Sequence, residues 1–251
     1  MTTATNSWLR QFKPLPQAPS SAVFLAHAGG SAPFFFGMSE ALAPTIDVFA
    51  VQYPGRLDRF REPLITDLNT LADETFAALR TSPALASGRP FQLFGHSLGA
   101  VLAFEVALRC EQDLGRSPVT LFASGRRAPG TARRRTEDVH TRGDAELLAE
   151  IRNLNGTDSP LTDPALLELV LPGIRADYTA IETYRWTSGP ALSCPIVALM
   201  GKDDPYTSEA ECQAWSEHTT GEFELRSYPG GHFFLTTQQD ALAALLVERA
   251  R

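Results

Sequence analysis

The chain has 251 residues, 43% hydrophobic and 20% charged, with 22 Lys and Arg against 29 Asp and Glu and a formal net charge of −7. This is the composition of an ordinary globular protein able to bury a large core, and a single domain is the simplest reading. The acidic balance argues against nucleic-acid binding, which requires excess Lys and Arg to neutralise phosphate. No run approaches the roughly eighteen apolar residues of a membrane span, and three oddly spaced cysteines, Cys110, Cys194 and Cys212, suit neither a disulfide framework nor a zinc site.

The first residues, Met1 to Trp8, lack the basic region and apolar core of a signal peptide, so a cytoplasmic location is expected. Short apolar runs follow at residues 23–26, 46–51, 91–94, 119–123, 196–200 and 223–228 and predict strands. Between them lie segments of helical period: Leu64, Leu68, Leu71, Ala72, Phe76 and Leu79 share one face, as do Val101, Phe104 and Leu108. Strands alternating with helices predict an α/β fold with a mostly parallel sheet, covered on both faces, whose reactive residues gather at the C-terminal ends of the strands. The alternation stops over residues 126–189, where two helical stretches near 144–154 and 163–184 predict an inserted helical lid, with a cap at Thr162 or Asp163. Its entry is rich in arginine: Arg126, Arg127, Arg133, Arg134 and Arg135.

The run at 91–94 leads into Gly95-His-Ser-Leu-Gly99 and then at once into a helical segment. A Gly-x-Ser-x-Gly match alone arises by chance in roughly one chain in ten of this size. Between a strand and a helix it predicts a nucleophile elbow, a sharp, strained turn in which Gly95 and Gly99 stand where a Cβ would strike backbone and Ser97 is presented as nucleophile.

A serine hydroxyl needs a base, and the base needs a third group to fix its tautomer. In this architecture the order is serine, acid, histidine. His27 and His96 precede the serine and His140 lies in the insertion before any suitable acid, which leaves His218 and His232. His218 reads as an exposed surface histidine, whereas His232 sits in a Gly-rich loop after the last strand, Tyr228-Pro-Gly-Gly-His232, able to return to the sheet edge. The acid should end the preceding strand, where Asp203 and Asp204 compete. Asp204 is favoured by its spacing, and Asp203 is read as a cap for a helix beginning near Pro205. For the oxyanion hole, one backbone N–H is expected from Leu98 and a second from the loop after the first core strand, from Ala28 or, failing that, Gly29.

Together these residues resemble the type II thioesterases that accompany polyketide and nonribosomal peptide synthetases, a family with an α/β-hydrolase fold. The resemblance spans nearly the whole chain: Trp8, His27-Ala-Gly-Gly-Ser31, Gln52-Tyr-Pro-Gly-Arg56 with Arg59 and Glu62-Pro63, Gly95-His-Ser-Leu-Gly-Ala100 with Phe104-Glu105, and Gly230-Gly-His-Phe-Phe234. The commonest elbow in that family has Met after the serine; here Leu98 replaces it, a volume-conserving change that keeps the backbone N–H. The resemblance implies hydrolysis of acyl or aminoacyl thioesters from the phosphopantetheine arm of an acyl or peptidyl carrier protein, by a monomer, with no metal or organic cofactor and with a lid over an acyl chamber. An acidic carrier would suit the arginine-rich loop.

Other readings remain open. A small-molecule carboxylesterase or lipase, or an acyltransferase, would use the same triad. A noncatalytic hydrolase-fold binding protein is disfavoured because Ser97, Asp204 and His232 are all present. Arg56 and Arg59 either border the site or pair with Asp58 and Glu62, and Phe34, Phe35 and Phe36 belong to the core or to a chamber wall.

Overall fold

All six apolar runs form strands; the five inner ones are mainly apolar because both faces of the sheet are covered there, whereas the run at 223–228 alternates polar and apolar residues. In the computed structural model, which describes residues 7–43, 45–132, 138–155, 164–186 and 188–250, the strands are β1 (Leu9–Arg10), β2 (Ser20–Leu25), β3 (Ile46–Val51), β4 (Phe91–His96), β5 (Thr120–Ser124), β6 (Ile196–Gly201) and β7 (Phe223–Tyr228). Every residue of β2 to β6 is buried, whereas β7, at one edge, is largely half-buried. Strand β1, two residues long, carries no apolar run and was not expected.

The order across the sheet is β1-β3-β2-β4-β5-β6-β7, parallel throughout except for β1 against β3. From β2 the chain runs to β3 on one side and then returns to β4 on the other. The loops leaving the C-terminal ends of β2 and β4 therefore diverge, and a crevice opens between them.

The helices are α1 (Phe36–Leu42), α2 (Leu68–Arg80), α3 (Pro83–Ala86), α4 (Leu98–Leu114), α5 (Asp144–Asn155), α6 (Pro164–Thr183), α7 (Glu209–Gln213) and α8 (Gln239–Glu248). Helix α2 starts after Leu64, because Asp67 caps it by accepting from the Thr70 N–H at 2.8 Å, and Leu64 stays outside, partly exposed. Helix α4 is buried from Leu98 to Leu108 and ends where Gly115 takes the left-handed conformation, φ 60°. The three cysteines are buried and unpaired; burial pushes each thiol up to about 12.

Residues 126–189 contain no strand among the described residues. Helices α5 and α6 close a second apolar cluster of Val139, Leu147, Ile151, Leu167, Leu171 and Ile174, separate from the core around the sheet. Thr162, Asp163 and Arg133 to Arg135 lie outside the described residues.

Candidate active site

The chain passes from β4 to α4 through Ser97, which has φ 56° and ψ −117°, a conformation that costs a non-glycine residue on the order of 1–3 kcal/mol. The flanking glycines make that turn possible. A Cβ on Gly95 would overlap the Gly99 carbonyl, and one on Gly99 would overlap the Leu25 carbonyl at the end of β2. The Ser97 N–H donates to the Ser124 carbonyl at 2.8 Å, which ties the strained residue to β5.

Glycine also brings the other two groups together. Gly201, at the end of β6, lies so close to the Gly230 and Gly231 carbonyls that no side chain would fit, and the Asp203 N–H donates to the Gly230 carbonyl at 3.0 Å. The loop after β7 is thereby laid over the end of β6, and His232 Nδ1 meets Asp204 Oδ2 at 2.8 Å. The Asp204 side chain is fully buried, and its Oδ1 accepts from the Tyr206 N–H at 2.9 Å. With Nδ1 engaged, Nε2 is the nitrogen left for a reacting group. Ser97 and His232 line one cavity, though no hydrogen bond joins them in this structure; such contacts commonly tighten only with substrate bound. Asp203 is exposed and caps nothing near Pro205: the next helix, α7, begins at Glu209 behind a capping box formed by Ser208 and Glu211. That expectation for Asp203 is corrected.

On the other side of the cavity, the loop 26–32 is pinned at three points. The Tyr53 hydroxyl donates to the Ala26 carbonyl at 3.0 Å, Gln52 Oε1 accepts from the Ala32 N–H at 3.1 Å, and the Gly29 N–H donates to Asp177 Oδ2, on α6, at 2.6 Å. Gly29 has φ +78°, and its N–H is already taken. Ala28 and Leu98 line the cavity, and their N–H groups have no acceptor among the described residues. Of the two candidate N–H groups on this loop, that of Gly29 is engaged by Asp177 and that of Ala28 is not.

The cavity measures about 270 Å³ and is walled mainly by Val139, Ile151, Leu154, Ile174, Tyr178, Ile181 and Phe233, with Glu150, Glu182 and Arg126 among them. It lies between the two apolar clusters, with walls from the insertion and from the strand ends. His27 lines the cavity and His96 is buried next to it, with ring centroids 6.0 Å apart and the His96 ring 5.0 Å from that of His232. Burial, then the charges of His232 and Arg56, lowers His27 to about 3. Burial, then His232 and His27, also pushes His96 well below the ordinary histidine value, so both rings are neutral. Of the three phenylalanines in the run, Phe35 is core, Phe34 packs edge-on against His27, and Phe36 is exposed beside Phe12.

A thioesterase-domain family model matches residues 22–249. The chain belongs to the thioesterase family. This thioesterase is 47% identical to a probable cadicidin biosynthesis thioesterase of Streptomyces griseus over 94% of its own length and 63% of that protein's, so it spans less than two thirds of that relative. It is 48% identical to thioesterase PikA5 of Streptomyces venezuelae, over 92% of the chain and 81% of the relative. Among solved structures it resembles that of the type II thioesterase BorB from the borrelidin biosynthetic cluster, at 46% identity and a TM-score of 0.90, covering 99% of this chain and 100% of that one.

Against that family background, several residues of this thioesterase sit differently from their reading in the sequence. His218 is buried, not exposed: its Nε2 lies 2.9 Å from the Pro129 carbonyl, inside a cage of Phe104, Trp186 and Trp215. Arg59 pairs with Glu62 as one alternative held, and its guanidinium lies over the Trp8 ring, 4.1 Å from the centroid. Arg56 pairs instead with Asp177, and Asp58 with Arg10. His140 has an acid after all, Glu182, 2.6 Å from its Nδ1, but the pair ties the insertion's own segments together. Asp177 went unnoticed in the sequence. The available signal was an acid three residues after Ile174 and four before Ile181, on the apolar face of a helix.

Proposed function

We propose that this chain is a type II thioesterase that hydrolyses acyl and aminoacyl thioesters carried on the phosphopantetheine arm of acyl or peptidyl carrier proteins, clearing stalled or misprimed units in polyketide or nonribosomal peptide synthesis. The observation that carries the chemistry is the buried Asp204–His232 pair, joined at one cavity to a strained Ser97 and two unpaired backbone N–H groups. The named relatives support the substrate class.

Ser97 Oγ attacks the thioester carbonyl while His232 Nε2 takes its proton, and the buried Asp204 carboxylate stabilises the imidazolium. The carbonyl oxygen becomes an oxyanion held by the Leu98 and Ala28 N–H groups, each such donor being worth about 10²- to 10³-fold in turnover. As the intermediate collapses, the C–S bond breaks and the thiolate takes the proton from His232, leaving an acyl group on Ser97. Water then attacks that ester, His232 again accepts and returns the proton, and the free acid departs with Ser97 restored. The sequence calls for no metal or organic cofactor, since the pantetheine belongs to the partner.

Helices α5 and α6 act as the lid of the acyl chamber. The carrier docks outside it, with the arginine-rich entry to the insertion attracting its acidic surface. No helix among the described residues is long and apolar enough to cross a membrane, and we place the protein in the cytoplasm, where its three thiols remain reduced. The test is a hydrolysis panel of acyl-carrier and acyl-pantetheine thioesters set beside matched oxygen esters. Higher kcat/KM on the carrier-bound thioesters is expected; faster turnover of simple oxygen esters would make the protein a carboxylesterase instead.

A further inference from the structure

Two of the three pins on loop 26–32 come directly from the Gln52–Arg56 segment, and the third comes through the lid. Asp177 Oδ2 accepts from the Gly29 N–H and also pairs with the Arg56 guanidinium, and the two side chains are only 4% and 10% exposed. The packing around this contact is close. A Cβ on Gly29 would stand 2.8 Å from the Ile174 side chain, and one on Gly173 would stand 3.7 Å from the Gly55 carbonyl. Gly173, Ile174 and Asp177 thus bring α6 against both the oxyanion loop and the segment that braces it.

We propose that Asp177 is a positioning residue for the oxyanion hole, and that Arg56 keeps the Asp177 carboxylate compatible with the negative charge that develops beside it. The inference rests on the reading of Ser97 as nucleophile and Ala28 as donor. The bond to Gly29 N–H fixes the peptide plane next to Ala28, so the Ala28 N–H is aimed before substrate arrives, as electrostatic preorganisation requires. An unpaired carboxylate there would repel the oxyanion in a site of low dielectric, where like charges act strongly. The Arg56 guanidinium cancels that charge.

The two roles of Asp177 are separable, because asparagine keeps an acceptor for Gly29 and loses the charge. Wild type, Arg56→Gln, Arg56→Lys, Asp177→Asn and the Arg56→Gln/Asp177→Asn double variant are compared, as the full chain, in p-nitrophenyl butyrate hydrolysis and in the rate of Ser97 modification by a fluorophosphonate. Thermal unfolding is followed in parallel. Arg56→Gln is expected to lower kcat by about 10²-fold with KM changed less than about threefold. Arg56→Lys should stay within about fivefold of wild type, and the double variant should recover at least about tenfold over Arg56→Gln. A double variant no faster than Arg56→Gln, or losses that appear in KM alone or simply follow Tm, would overturn the proposal. If the wild type is not labelled by the fluorophosphonate, the nucleophile reading fails first and takes this inference with it; if it is labelled and Arg56→Gln is labelled equally fast, only the inference fails.

Discussion

His232 donates through Nδ1 to a fully buried Asp204, whose other oxygen is held by the Tyr206 N–H. An acid fixed in that way holds one tautomer of the imidazole and stabilises its cation. Asp204→Asn should therefore lower turnover by about 10³- to 10⁴-fold. Asp203, exposed and one residue away, should tolerate the same change with turnover within about twofold. Steady-state rates of the two variants decide between the neighbouring carboxyls, and equal losses would remove the distinction.

Gly99 packs directly on the neighbouring strand, since a Cβ there would overlap the Leu25 carbonyl. Gly99→Ala should cost at least about 3 kcal/mol, because backbone on both sides has to shift. Urea unfolding monitored by circular dichroism measures the loss, and soluble variant protein should also show slowed Ser97 modification.

The Leu98 N–H has no acceptor among the described residues, and the residue, 1% exposed, packs in the core. Leu98→Met, a volume-conserving change, should cost less than about 1.5 kcal/mol and leave kcat within about threefold. A large loss in kcat with normal Tm would show that the side chain itself touches the acyl group.

The buried histidines give a pH signature. His27 is lowered to about 3 and His96 lies well below its ordinary value, chiefly through burial, so an unfolded chain binds protons there that the native state does not. Stability therefore rises with pH below about 6.5, the unfolded value, and falls as the solution is acidified, by up to about 1.4 kcal/mol per pH unit for each ring. Urea midpoints between pH 7 and pH 4.5 should decline along that slope, and His27→Phe should flatten it. An unchanged slope in that variant would mean that the destabilising protons bind elsewhere.

Much of the fold and most of the site were legible from local signals. The inner apolar runs mark strands because burial on both faces leaves little polar alternation, and the elbow, Asp204 and His232 each follow a strand end at short range. What escaped depends on contacts distant in sequence. The Gly29–Asp177 bond joins residues 148 apart, and nothing local reveals that a carboxylate on the insertion serves the loop after β2. His218 looked exposed because the rings that bury it, Phe104, Trp186 and Trp215, come largely from separate segments. Leu64 fitted the periodicity of α2, but Asp67 satisfied the first free N–H groups three residues later and began the helix there.

The most direct test of the proposed chemistry is to find the acyl group in mid-reaction. An acyl-carrier thioester is mixed with enzyme, quenched in acid within the first turnover, digested and examined by mass spectrometry. The acyl group should appear on Ser97 of the wild type, together with one equivalent of free carrier thiol, and Ser97→Ala should show neither adduct nor hydrolysis. Hydrolysis retained by Ser97→Ala, or an adduct on any other residue, would contradict the account.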